Sequence, residues 1–469
     1  MTTASGSITV GIDIGTTAVK AVAADETGAV VARARVAHRV VSPAADLLEH
    51  DALKAWCRSP RVALAEVGAT APHVAGVCVA SMVPSLAVVD ERGIPRSPGL
   101  LYGDARGRPT DRAGDPGAPS AMPDAEGFVA WAARRAPGAA GYWPAQAVAN
   151  YALGRVPAMD TATAMSFGGL HHHGAWDASL LARLGASEAQ MPEVVQMGAA
   201  AGEVLGTGAV LAGGTVDAMC DQIVSGATEV GDVLVLFGAT LIVWAVVPEW
   251  VEVPGLWTIP HTSPGRILIG GPSNAGALFV DWADNLVAGA AGGADATGAA
   301  AGAGGPAPEW GGRSGEPGHV PVWLPYVRGE RAPFHDPNLR ASLHDLDITH
   351  DAAAVRRAAY EASGFVVRAM LERAGITARR VVASGGGTRR LGAMEAVADA
   401  TGLPVDVVGV PEGAALGAAY LARMAAGLET DLDGAQRWAS VGRRVEPDDR
   451  WRRAADERFA RFTELGPST

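Results

Sequence analysis

The stretch from Gly213 to Thr240, GGTVDAMCDQIVSGATEVGDVLVLFGAT, lies near the middle of the chain, and its reading settles the rest. Asp217 stands between a glycine-rich approach, Leu211-Ala212-Gly213-Gly214-Thr215-Val216, and an alternation of small and apolar residues that runs to Ala227. This pattern predicts a loop-to-helix junction, a place for a working acid or base. Gly231-Asp232 then opens Val233-Leu234-Val235-Leu236-Phe237, an apolar run of the kind a fully buried strand needs. Gly238-Ala239-Thr240 turns that strand back into the apolar residues 241–247. A tight turn between two such strands offers backbone N–H groups and a hydroxyl to an anion such as phosphate. A candidate proton acceptor and a candidate phosphate cradle therefore flank an expected boundary between two halves, residues 1–229 and 230–469.

At 469 residues the chain is too long for one ordinary core, and its hydrophobic share of 48% supports two fully globular halves. Lys and Arg number 38 against 50 Asp and Glu, a net charge of -12, which argues against a nucleic-acid or anionic-membrane partner. Cys57, Cys78 and Cys220 form no CxxC pair, so a reducing compartment is expected, with no disulfide framework and no cysteine-rich metal site. The start, MTTASGSITVGID, has neither a basic nor an apolar leader segment, and the apolar run Val233 to Val247 is shorter than the roughly 20 residues of a membrane helix. The expectation is a soluble, cytoplasmic protein with no membrane partner.

Near the beginning, residues 8–14 read as a strand that ends in the turn Gly15-Thr16-Thr17, followed by strands over 18–25 and 29–37 joined at Glu26-Thr27-Gly28. Asp13, the glycine, two hydroxyls and Lys20 are the parts needed to hold a metal-bound polyphosphate, a carboxylate for Mg²⁺ or its waters and donors for the phosphate oxygens, with an ordinary hairpin as the alternative reading. Tyr102, Asp104 and Arg106 set a ring face, an acceptor and a fork-shaped donor at alternate positions, a set that suits a polyhydroxylated substrate. Far downstream, a strand over 379–384 meets Gly385-Gly386-Gly387-Thr388, where missing side chains let backbone approach a flat base and ribose. His171-His172-His173 invites a metal reading, but successive strand residues point to opposite faces, so these are read as structural. Residues 107–124 read as an exposed loop, and the Ala/Gly tract 288–305 as low complexity.

Asp13 to Lys20, DIGTTAVK, resembles the first phosphate loop of the sugar kinase, heat-shock ATPase and actin superfamily, and Leu236 to Thr240 resembles the second. Tyr102 to Arg106 is spaced like the WxDxR segment of the FGGY carbohydrate kinases. Pro325 to Pro333, PYVRGERAP, is similar to their long PYxxGERxP signature. GGGTRR, AVADATGLPV and PEGAALGAA then follow in the order of that family's adenosine-binding end.

The resemblance covers residues 8 to about 425 and implies an α/β fold of two actin-like ATPase (ribonuclease H-like) domains with an interdomain cleft, each domain built on a mixed five-stranded sheet. It implies ATP-dependent phosphorylation of a sugar or polyol hydroxyl. Asp217 matches the catalytic base and Asp13 the carboxylate that holds Mg²⁺ through water. Gly15, Thr16, Thr17, Lys20, Gly238 and Thr240 fall to the phosphates, and Gly385, Gly386, Gly387 and Thr388 to the adenosine. Ser81, Met82, Tyr102, Asp104 and Arg106 join Asp217 around the substrate. Glu330 and Arg331 are read as a structural ion pair. A homodimer is implied by the resemblance alone.

Three departures bear on the substrate. Ser81-Met82-Val83 lacks the histidine of the xylulokinase Met-His-Gly element, Ala218 follows the base where those enzymes have asparagine, and the second loop reads GAT rather than GTS, losing a hydroxyl at Ala239. GTVDA with GATLIV looks closer to kinases grouped near D-ribulose kinases. A ketopentose or similar open-chain polyol is the expected substrate. Two other classes stay open: an ATP-binding scaffold without transfer activity, and an ATPase that drives a partner, although the reductase-activating ATPases of the superfamily carry cluster cysteines absent here.

Overall fold

Two strands buried along nearly their whole length, Ile8–Ile14 and Asp232–Phe237, are the spines of two sheets. Strands of this kind need cover on both faces, so helices rather than water lie against them. The computed structural model describes residues 7–44, 47–71, 73–107, 123–263, 265–291, 312–313 and 315–467. The loop expected at 107–124 and the tract at 288–305 lie almost entirely outside those residues.

The first sheet runs Ala200–Glu203, Val210–Ala212, Val74–Ser81, Ile8–Ile14, Ala18–Ala24, Val30–Ala37, with Thr215–Val216 paired to the end of Val74–Ser81. The second runs Val441–Val445, Val405–Val408, Arg380–Ser384, Asp232–Phe237, Leu241–Val247, Ile267–Ser273, Trp257–Pro260. Each spine strand pairs antiparallel with the strand after its turn and parallel with a strand much later in the chain. On that far side each sheet continues through one further parallel strand and closes on an antiparallel edge. One plan is thus laid down twice. Each sheet has seven strands where five were expected, because short strands such as Thr215–Val216 and Trp257–Pro260 extend the shared plan.

The compact units follow these sheets with one exchange. The first comprises Met1–Val224 with Glu412–Trp438, and the second Ser225–Pro411 with Ala439–Thr469, so a division after residue 229 misplaces the Glu412–Trp438 segment. The cause is close backbone packing by the helix Gly413–Ala425. A Cβ on Gly11 would lie 1.8 Å from the carbonyl oxygen of Ala415, and one on Gly417 2.1 Å from that of Cys220. Only glycine allows such approach. From Glu412 onward the PEGAALGAA segment is thereby built into the first unit, whereas the glycine turn at 385–387 belongs to the second.

Val10, Ile12, Val19, Val77, Val79 and Trp56 centre the core of the first unit. A satellite cluster with Phe128, Tyr142, Phe167 and Leu170 covers a smaller five-stranded sheet that carries Glu49–His50, Gly99–Leu101 and Ser85–Val89. In the second unit, Val233, Val235, Phe279, Phe365 and Val397 lie in one core. Its helix Ala352–Arg373 is tied down by a buried ionic network in which Arg357 donates to Glu361 at 2.9 Å and to Asp399 at 2.8 Å, and Arg458 donates to Glu361 at 2.7 Å. Among the described residues, no helix is long and apolar enough to cross a membrane.

Candidate active site

In the first unit the strand Ile8–Ile14 delivers Asp13 to the mouth of the turn Gly15-Thr16-Thr17. Asp13 is buried, and Lys20, its register partner on the next strand, donates to it at 3.3 Å. The Asp13 charge raises the Lys20 ammonium above its ordinary range. The turn is open to solvent between two buried strands. Its carbonyls are held from behind: His38 Nε2 lies 2.9 Å from Gly15 O, His50 Nε2 lies 2.8 Å from Thr16 O, and the His38 N–H donates to Thr17 O at 3.0 Å. Thr16 Oγ1 and the Tyr102 hydroxyl are 3.4 Å apart. Neither histidine was singled out as a site residue from sequence.

Asp217 opens the helix Asp217–Ser225 in the same unit. One side-chain oxygen accepts from the Ala218 N–H at 2.7 Å. Asp217 is half-buried as a residue, and loss of hydration, with the Asp13 charge second, pushes its carboxyl up to about 6. A group poised there can take a proton near neutral pH. Two buried amides one turn apart on the helix Ala145–Gly154 fix the approach to it. Gln146 Nε2 donates to Ser81 O at 3.1 Å and Thr215 O at 2.9 Å, and Asn150 Nδ2 donates to Ala158 O at 3.0 Å and Gly213 O at 2.9 Å. Gln146 carried no sequence signal, because its partners lie 65 and 69 residues away.

Three expected substrate contacts are turned inward. Ser81 is fully buried with its hydroxyl donating to Ile14 O at 3.3 Å, since pairing with Ile14 and Val216 places it beneath the first turn. Met82 packs into the core. Asp104 is fully buried, with Oδ2 accepting from the Leu48 N–H at 2.6 Å and from Arg106 Nη2 at 2.7 Å, and Oδ1 from the Arg106 N–H and Nε at 2.9 and 2.8 Å. With each oxygen accepting two bonds, Asp104 aims Arg106 rather than a ligand. Arg106 also donates to Glu49 Oε2 at 3.1 Å and lies over the Trp131 ring. Arg106 and Tyr102 are both partly exposed, and Glu49 joins Arg106 as a polar group that sequence reading passed over.

In the second unit, Gly238-Ala239-Thr240 is half-open and its backbone is held as in the first turn. Gly238 O accepts from the Ala277 N–H at 2.9 Å and Ala239 O from the Leu278 N–H at 3.1 Å, at the start of the helix Ala277–Ala291. The strand Arg380–Ser384, parallel to Asp232–Phe237, brings the glycine turn alongside. Gly385 has φ +97, and a Cβ there or on Gly387 would lie 2.8 Å from Phe237 O. Gly386 has nothing within 4 Å of where its Cβ would stand. Thr388 is buried with its hydroxyl donating to Gly385 O at 2.7 Å. Of these four residues, Gly386 is the one that presents an open surface. Glu330 is buried and accepts from Ser273 Oγ at 2.7 Å and from the N–H groups of Asn274 and Arg331 at 2.9 and 2.7 Å. Burial pushes its carboxyl up to about 7. It organises a loop, beside the Arg331 charge.

Residues 8–111 match the family model for the N-terminal domain of the FGGY family of carbohydrate kinases, and residues 234–426 match that for its C-terminal domain. The chain is 35% identical over 145 residues to a glycerol kinase of Dechloromonas aromatica, covering 30% of this chain and 28% of that protein. It is 32% identical over 132 residues to a xylulose kinase of Klebsiella pneumoniae, covering 27% of each. These matches span little more than a quarter of the length of the curated relatives. Among solved structures, a xylulose kinase from Rhodospirillum rubrum superposes with a TM-score of 0.74 at 24% identity over 98% of both chains. A glycerol kinase from Plasmodium falciparum with ADP gives 0.75 at 15% over 99% of both. At such identities the likeness shows the fold, which is that of two actin-like ATPase domains. With both domain models matched in order, and the duplicated sheet plan behind them, the chain belongs to the FGGY family of carbohydrate kinases.

Proposed function

We propose that the chain is an ATP-dependent carbohydrate kinase that moves the γ-phosphoryl group of ATP to a hydroxyl of an open-chain ketose or polyol, a ketopentose such as xylulose or ribulose in the first instance. The observation that carries this reading is Asp217: a carboxyl held near 6 at a helix start, under the influence of the Asp13 charge beside an anion-binding turn. The glycerol and xylulose kinases among the relatives support the substrate class.

In this reading Asp217 accepts the proton of the attacking hydroxyl as its oxygen bonds to the γ-phosphorus, and the bond from that phosphorus to the β-phosphate oxygen breaks to release ADP. Thr16, Thr17, Lys20 and Gly238 with Thr240 receive the phosphates, Gly386 meets the adenosine, and Tyr102, Arg106 and Glu49 meet the substrate hydroxyls. The residues present fit a magnesium ion that arrives with its phosphates. Asp13 is a single carboxylate at the turn, and among the described residues no cluster of three or more acidic, His or Cys side chains forms an all-protein cage. Asp13 would hold the ion through water, and the ion would neutralise charge on the terminal phosphates.

A nucleotide-binding scaffold without transfer is the second reading, favoured by one observation: Ala239 stands where a hydroxyl would face the phosphates. ADP production with Mg-ATP decides between them, measured across pentuloses, hexuloses, aldonic acids, pentitols and glycerol with Asp217→Ala alongside. A sugar that stimulates the native protein and not the variant supports the kinase. ATP binding with no stimulation by any acceptor sinks it, and strict preference for a ring-closed hexose sinks the ketopentose assignment.

A further inference from the structure

His38 and His50 do for the first turn what a helix start does for the second. In both turns the first two carbonyls are bound from behind, Gly15 O and Thr16 O by imidazoles, Gly238 O and Ala239 O by the N–H groups of Ala277 and Leu278. A trans peptide points its N–H opposite to its C=O, and neither peptide that follows Gly15 or Thr16 is cis. Tying Gly15 O and Thr16 O to the protein side therefore turns the N–H groups of Thr16 and Thr17 outward. Neither of those N–H groups has a backbone acceptor among the described residues. Two adjacent outward N–H groups form an anion-binding concavity.

The chemistry of the two rings is fitted to this task. His50 is buried, and loss of hydration, with the neighbouring His38 second, lowers it to about 4, so the ring is neutral near pH 7. Trp56 Nε1 donates to His50 Nδ1 at 3.0 Å, which leaves the hydrogen on Nε2, facing Thr16 O. Burial lowers His38 as well, and its ring meets that of His50 edge-on with centroids 4.6 Å apart. His50 is also joined through the chain to Glu49, which holds Arg106. Trp56, His50, His38 and the turn form one connected assembly.

We propose that His38 and His50 are positioning residues that aim the Thr16 and Thr17 amides at the polyphosphate of the nucleotide, with Trp56 setting the His50 tautomer. The inference rests on the kinase reading only in taking the ligand to be a nucleoside triphosphate. Its test is binding, in the presence of Mg²⁺, of ATP, inorganic tripolyphosphate and adenosine to the full chain and to His50→Leu, His50→Gln, His38→Leu and Trp56→Phe. Leucine at either position should weaken ATP and tripolyphosphate roughly tenfold, as expected for the loss of one hydrogen bond that orients a charged contact, with adenosine within about twofold. Glutamine at 50 keeps an N–H donor and an acceptor and should recover most of the loss, and Trp56→Phe should fall between. Equal loss for adenosine and ATP, ATP binding unchanged in a folded leucine variant, or no rescue by glutamine would overturn it. If the leucine variants do not fold, a Trp56→Phe variant that binds ATP and adenosine in the native ratio overturns it, and a selective loss for ATP in that variant supports it. A native protein that binds neither ATP nor tripolyphosphate removes the nucleotide reading together with this inference, whereas native binding with insensitive variants removes the inference alone.

Discussion

Replacing Asp217 by Asn should abolish transfer and, at alkaline pH without divalent cations, make the protein more stable. Loss of hydration and the Asp13 charge hold the Asp217 carboxyl at about 6, against roughly 3.9 for an unfolded aspartate. Between those values the native state binds more protons than the unfolded chain, so the free energy of unfolding falls as pH rises through the window. Above it the ionised group is a net burden on the fold. A shift of about two units would amount to about 3 kcal/mol for a sealed group, and the half-buried setting of Asp217 reduces this to about 1–2 kcal/mol through solvent screening. Asn keeps the shape and the oxygen that accepts the Ala218 N–H, but carries no charge. For a unit of this size the variant should melt roughly 2–6 °C higher at pH 8, with the gap closing toward pH 4.

Melting curves of both proteins from pH 4.5 to 8.5, in chelator, are the assay. A cation beside Asp13 opposes the second of the two causes, so added Mg²⁺ should narrow the gap at pH 8. An Asn variant that melts at or below the native temperature at pH 8, or a gap that widens as the pH falls, would show that the Asp217 charge is accommodated without cost. The argument for a primed base would then fail.

The glycine turn separates packing from binding within three residues. Gly387→Ala should cost about 1–3 kcal/mol in thermal unfolding, because its Cβ meets Phe237 at 2.8 Å, while Gly386→Ala has open space and should leave stability near native but raise KM for ATP; the opposite pattern would place the ligand on the other glycine. Gln146→Leu leaves Ser81 O and Thr215 O without their buried donor, and denaturant titration should show a loss of about 2–4 kcal/mol. Because those carbonyls lie on the approach to Asp217, kcat should fall further than KM for the acceptor rises.

The two turns and the helix start at Asp217 were legible because each is announced locally. A buried strand, three small residues and a second apolar strand make a hairpin whatever the rest of the chain does, and a carboxylate after a glycine pair marks a helix start. What was missed depends on register and on facing direction. Ala18 pairs with Ala37 across the hairpin, so residue 38 lies beside Thr17; counting outward from Glu26-Thr27-Gly28 would have found His38, but nothing local to it asks for the count. Ser81 and Asp104 have the side chains a sugar site uses, and the structure spends both on backbone groups, Ile14 O for one and the Leu48 N–H for the other. Chemical type at a strand end says what a residue could bind, and only the pairing of that strand says whether it faces a ligand. The same holds for the Glu412–Trp438 exchange. PEGAALGAA reads as a tightly packed helix from its small residues alone, yet the sheet it packs on is chosen by Gly11, some 400 residues earlier, whose missing side chain leaves room for the Ala415 carbonyl.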